Sequence, residues 1–239
     1  MIIPIEKLIK CVVIVLDLIH RLEWTQLEKV ISEPKLLKLI SEHIQQCDDF
    51  NGMTLLHAVV RFNPPVHILE VMIDAHGDAL KGQDCVGRTP LHVACGTGAD
   101  GLIIKRLVKA YPQACDMQDE DGKLPLHLAC DTKCVIFEGD QTPRARAPLT
   151  LDVVKVLLSG SMQSVLAVDG DEMNPIEYAI VSALDIEIVK RLRKARMSIR
   201  RKEASLRRKE AKTNKEAPTS NRQGDKSLPV LRRNVLAYC

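Results

Sequence analysis

Apolar residues recur at helical spacing along most of the chain. Ile5, Leu8, Ile9, Val12, Leu16 and Ile19 fall on one face of a helix. Trp24, Leu27, Val30 and Ile31 give a second apolar face, and Leu36, Leu37, Leu39, Ile40 and Ile44 a third, with a break near Pro34. Four further faces follow: Val66, Leu69, Met72 and Ile73; then Ile103, Ile104, Leu107, Val108 and Tyr111. Val153, Val154, Val156, Leu157 and Leu158 make the next, and Ile186, Ile188, Val189 and Leu192 the last. The pattern predicts an all-α chain.

Between these faces lies a recurring segment. Arg88 to Cys95 reads RTPLHVAC, and 35 residues later Lys123 to Cys130 reads KLPLHLAC. A weaker copy, MTLLHAVV, occupies Met53 to Val60, and a degenerate one, MNPIEYAI, occupies Met173 to Ile180. Self-similarity at such a period is the mark of stacked repeats. An aspartate stands five residues before the Thr position in every copy: Asp49, Asp84, Asp119 and Asp169. Gly52, Gly87 and Gly122 stand two before it in three of them. Asp followed by Gly is turn chemistry, the carboxylate holding nearby backbone and the glycine accepting a left-handed conformation. Thr89 is a good N-cap, its hydroxyl accepting from an unpaired backbone N–H. Pro90 suits the first helical position, where a missing N–H costs nothing. Leu91 and Ala94 are expected to point inward. Each unit therefore reads as turn, helix, loop, helix.

These residues resemble the ankyrin-repeat family, whose TPLHxA hallmark is matched in full at Thr89 to Ala94. The resemblance covers roughly residues 49–195 and implies a solenoid of stacked helix pairs with turn tips projecting from one side. It implies that the work is binding another protein through the tips and the concave face. It also implies that His57, His92 and His127 bond neighbouring backbone and tie successive repeats together. The family's usual period is about 33; the two extra residues here are expected in the inter-helix loop around Gly98 to Leu102. Some positions depart from the pattern. Leu124 cannot cap, at a cost of about 1 kcal/mol. Leu55 replaces the proline, Glu172 the turn glycine and Glu177 the histidine. His127 and Glu177 are 50 residues apart. The excess places an insertion at 131–148, carrying Pro143, Arg144, Arg146 and Pro148.

The domain reading follows. Residues 1–48 form an N-terminal helical cap or a degenerate repeat, since a stack needs its open hydrophobic end covered. Residues 49–195 hold about four ankyrin repeats, and 196–239 are a basic, partly disordered extension ending in LPVLRRNVLAYC.

Composition changes this picture in one respect. The net charge of +3 conceals an acidic body and a basic tail. Residues 1–189 hold 17 Lys/Arg against 27 Asp/Glu, and residues 190–239 hold 17 against 4. Lys190-Arg191, Arg193-Lys194, Arg200-Arg201-Lys202 and Arg207-Arg208-Lys209 form clusters suited to phosphates, anionic lipids or an import receptor. No interleaved aromatics support base stacking, so a polyanion contact through the tail would be weak and nonspecific. The most apolar run, Cys11 to Leu16, is far short of the roughly 18 residues of a membrane span. Cys95 and Cys130 hold equivalent places and read as small buried side chains in a reducing compartment.

Three patterns invite a chemical reading. Gly96, Gly98 and Gly101 in GTGADG match a dinucleotide-binding fingerprint, with Asp116 beyond. The preceding segment is a proline-started helix rather than a strand, which favours an inter-helix loop. The periodic histidines fit the structural role implied above. His127, Cys130 and Cys134 could share a helical face and ligate zinc, but a fourth ligand is lacking. The expected protein is thus a non-catalytic interaction module or scaffold, without cofactor, metal or small-molecule substrate. Its contacts are placed at the variable tip positions Asp48, Phe50, Asn51, Cys85, Val86, Arg88, Glu120, Asp121 and Lys123, with Thr97 and Asp131 at the ends of first helices. The fold is expected to leave these free, and the acidic third tip favours a partner with basic patches. The alternative is a nuclear or nucleic-acid-associated regulator using the tail. The expected location is cytoplasmic, or nuclear under the alternative.

Overall fold

The computed structural model describes residues 4–137 and 147–216. Pro143, Arg144 and Arg146 of the insertion, and the terminal LPVLRRNVLAYC, lie outside the described residues. Among those described, the chain forms eleven α-helices and no strand. They are α1 Ile5–His20, α2 Trp24–Ile31, α3 Pro34–Gln46, α4 Leu55–Val60, α5 Val66–Ala75 and α6 Pro90–Thr97, followed by α7 Gly101–Ala110, α8 Pro125–Cys130, α9 Leu151–Gly160, α10 Pro175–Val181 and α11 Ile186–Glu216. None is long and apolar enough to cross a membrane.

Helix starts follow local chemistry. Proline opens α3, α6, α8 and α10, where its fixed φ suits the helix and no donor is lost. The α7 start is held by Asp100, whose carboxylate accepts from Leu102 N at 2.7 Å. The turns before α6, α8 and α10 share one design. Asp84 Oδ1 accepts from Val86 N (3.1 Å) and Arg88 N (2.8 Å). Asp119 does the same for Asp121 N and Lys123 N, and Asp169 for Asp171 N and Met173 N. Gly87 sits at φ +75°, a conformation that penalises any residue with a Cβ. Glu172 takes the equivalent place at φ +60°. The first copy turns differently, through a 3₁₀ helix at Asp48–Phe50 followed by left-handed Asn51 and Gly52.

The helices pack in two rows. α4, α6, α8 and α10 pack in succession, and so do α5, α7 and α9. α3 packs on α5 as α5 packs on α7, and α1 lies against α3 and α4. The core is continuous through both rows. Ile68, Leu69, Ile103, Leu107, Leu157 and Val154 are at most 1% exposed. Burial of each such side chain is worth about 1.5–3 kcal/mol. α11 buries Ile188, Val189, Leu192, Ala195 and Ile199. The compact unit ends at Arg200, within this helix.

Two sequence expectations are corrected. The α6–α7 connection is only the three residues 98–100, so the longer period does not lengthen that loop. The Thr89 hydroxyl meets the His92 ring at Nδ1 (2.8 Å) rather than a backbone N–H.

Candidate partner-binding surface

The histidine after each helix start is a joint between repeats. Thr89 N donates to His92 Nδ1 at 3.1 Å, so the imidazole fills the place that Glu or Gln holds in a capping box. The other nitrogen, Nε2, lies 3.2 Å from the Lys123 carbonyl of the next turn and donates to it. His57 makes the same pair of bonds, to Thr54 N (2.9 Å) and the Arg88 carbonyl (2.8 Å). His127 bonds Leu124 N (2.9 Å) and the Ala167 carbonyl (3.2 Å). Leu124 lacks the hydroxyl but keeps the backbone bond. In the last copy Asn174 and Glu177 form a full capping box: Asn174 N donates to Glu177 Oε2 at 2.7 Å, and Asn174 Oδ1 accepts from Ile176 N and Glu177 N. Each of the three histidines is fully buried. Burial lowers all three proton affinities, that of His92 to about 4. All three are therefore neutral, with the proton on Nε2.

With both ring nitrogens of His127 engaged, it is not oriented to ligate a metal with Cys130. Cys130 is fully buried, and burial pushes its thiol up to about 12. Cys11, Cys47, Cys85, Cys95, Cys115, Cys130 and Cys134 are free thiols.

The GTGADG glycines each have a packing role. Gly96 lies in α6, where a Cβ would run into Ile136 Cδ1. Gly98 caps α6 at φ +67°, and Gly101 faces Val153. The α7 N-terminus, where a pyrophosphate would sit, is occupied by the Asp100 carboxylate. A negative group there repels phosphate.

The turn tips are joined edge to edge. Cys85 N donates to the Asn51 carbonyl (2.7 Å), Glu120 N to Val86 O (3.0 Å) and Gly170 N to Asp121 O (2.7 Å). The backbone of these predicted contact residues therefore holds the stack, and only their side chains face outward. Asp48, Asn51, Cys85, Glu120 and Asp121 are exposed; Phe50 and Val86 are half-buried.

Four of the expected residues are not left free by the fold. Arg88 Nη1 donates to the Ile136 carbonyl at 2.6 Å. The Lys123 ammonium, with its side chain 17% exposed, lies 3.9 Å from Asp171 Oδ2 and 5.5 Å from the Tyr178 ring centre. Thr97 Oγ1 donates to Val93 O within its own helix, and Asp131 Oδ1 accepts from Lys133 N.

Sequence reasoning missed two features. The first is an acidic edge: Asp171 and Glu172 of the fourth tip are exposed and follow Glu120 and Asp121 of the third. The signal was present, since Asp171 stands in the turn where Asp121 does. The second is a strap. Beyond α8, residues 134–137 run back over the first helices. Ile136 is buried over Gly96, and Phe137 lies under the Arg61 guanidinium at 3.9 Å from the ring centre. No local pattern announces contacts across 40 and 76 residues. The basic clusters lie on α11, and its residues 200–210 are all exposed.

Residues 56–137 match a family model for ankyrin repeats (3 copies). A search of curated proteins found no match to the chain. The repeated turn, helix, loop and helix, the histidine joints and this match together place the chain in the ankyrin-repeat family.

Proposed function

We propose that the chain is a non-catalytic binding module that takes a protein partner on its turn tips and the adjoining first helices. Ankyrin repeats are generally protein–protein interaction modules. The observation that carries the finer reading is the acidic edge. Glu120, Asp121, Asp171 and Glu172 are exposed on consecutive tips, which are joined by the Gly170 N to Asp121 O bond. Four like charges on a rigid frame steer a basic partner segment and set its register. Cys85, Val86 and Asn51 continue the same edge with uncharged side chains, so a partner with a basic end and an apolar end fits it. Residues 1–48 act in this reading as the cap of the stack, because α3 already fills a second-helix place against α5. The test is chemical cross-linking of the full chain in cell extract, compared with the E120K/D121K/D171K variant. The expected result is cross-links at the tips that disappear in the variant. Cross-links that persist there, or that concentrate elsewhere on the stack, overturn the assignment.

A further inference from the structure

The helix α11 carries a tandem duplication of its own. Ser198 to Ala204 reads SIRRKEA, and Ser205 to Ala211 reads SLRRKEA; the two heptads differ only at Ile199 and Leu206. Seven residues are close to two helical turns, about 10.5 Å along the axis. Arg201 therefore lies almost beneath Arg208, and Arg200 and Lys202 almost beneath Arg207 and Lys209. Successive residues are about 100° apart, so each Arg-Arg-Lys set fans over about 200° of the helix circumference. The one acid of each heptad, Glu203 or Glu210, falls opposite the central arginine. Every residue from Arg201 to Glu210 is exposed.

From this pattern we infer that α11 binds duplex nucleic acid through its phosphates, with Arg201, Lys202, Arg207 and Arg208 as the principal contacts. A duplex carries one negative charge per about 1.7 Å of axis, and its major groove, about 12 Å wide, admits a helix with phosphates on both walls. A cationic fan of about 200° meets both walls together. The composition of the helix excludes the competing surfaces. A helix that lies on a membrane needs an apolar face with Leu, Phe or Trp. The exposed stretch offers only Leu206 and Ala204. Single strands are held by stacking on aromatic side chains, and Ile186–Glu216 contains none. This site is separate from the tips, and its failure would leave the tip assignment untouched.

The test uses the full chain and a fluorescein-labelled 20-base-pair duplex, read by anisotropy between 50 and 200 mM salt. Four phosphate contacts give a slope of log K against log salt of about −3.6, which is about a 150-fold loss of affinity over that range. The wild type is expected to show a slope at least that steep. The R201E/K202E/R207E/R208E variant is expected to lose about 100-fold or more at 50 mM, with its thermal transition unchanged because these side chains are exposed. The R201K/R207K/R208K variant is expected to stay within a few-fold of wild type. Flotation with vesicles of 30% phosphatidylserine forms the second arm. Absence of duplex binding, wild-type affinity in the charge-reversed chain, or vesicle capture in preference to the duplex would each overturn the inference.

Discussion

Gly96→Ala tests the strap by adding one methyl group. The new Cβ would overlap Ile136 Cδ1 and stand 2.5 Å from Cγ1, so one of the two must move. α6 is held by helices on both sides, whereas Ile136 lies on a loop, so the strap gives way. Removing Ile136 from its buried place costs about 1.5–3 kcal/mol. The Arg88 bond to the Ile136 carbonyl, charge-assisted, is worth about 1.5–3 kcal/mol more if it is lost with it. Against this, alanine is the better helix former by up to about 1 kcal/mol. The net is a destabilisation of about 2–4 kcal/mol, or at about 2–4 °C per kcal/mol for a unit of this size a fall in Tm of roughly 4–16 °C. The decisive measurement is a double-mutant cycle with Ile136→Ala. Once the isoleucine branches are gone, the added methyl has room, and the same substitution should become neutral or stabilising. Hydrogen exchange read on peptides covering 131–137 should rise in the single Gly96→Ala variant. An equal cost of Gly96→Ala in both backgrounds would refute the reasoning.

Three other outcomes follow from the same geometry. His92 is held near 4, below its ordinary 6.5, so the stability it contributes is complete above about pH 6.5 and is lost as pH falls toward 4. That loss is about 2 kcal/mol by pH 5; His92→Gln should be less stable at pH 7 yet lose less between pH 7 and 5 in urea melts, and an unaltered pH slope would contradict the assignment. Maleimide labelling followed site by site in a mass spectrometer should modify exposed Cys85 quickly. Cys95, Cys115 and Cys130, each at most 2% exposed, should be modified only on unfolding. Burial pushes the Cys115 and Cys130 thiols up to about 12, so early modification of either would show that the core opens. Glu172→Gly should raise Tm by about 2–4 °C, because φ +60° costs a residue with a Cβ about 1 kcal/mol that glycine avoids. A lowered Tm would mean that the Glu172 side chain stabilises the fourth turn.

Sequence and structure agree where the determinants are local. The TPLH segment contains its own turn, cap, start and joint within a few residues, so each first helix was legible from four or five letters. The second helices were legible because Ile103, Ile104, Leu107 and Val108 bury one face at the helical period. The short 3₁₀ helices, such as Pro112–Asp116, left no period to read. Side chains whose destination lies far along the chain were not legible either. Arg88 looked like a free tip residue because its acceptor, the Ile136 carbonyl, sits 48 residues away in a segment without a pattern of its own. Lys123 looked free for the same reason, its neighbours Asp171 and Tyr178 belonging to the next unit. Asp171 and Glu172 were readable but masked by the attention that the regular Asp and Gly positions draw. The duplicated heptad was also readable, and only its short period hid it behind the longer one.

The strap has a consequence for how the stack comes apart. A solenoid in which each repeat touches only its neighbours behaves as a one-dimensional lattice, and can fray from either end in steps. Residues 136–137 break that rule by joining the third repeat to Arg88 and Gly96 of the second and to Arg61 of the first. A second-neighbour coupling raises the free energy of every half-unfolded state relative to both the native and the fully unfolded chain. The first three repeats should therefore melt as one cooperative block, and a single cut between the strap and α8 should let them separate into stages.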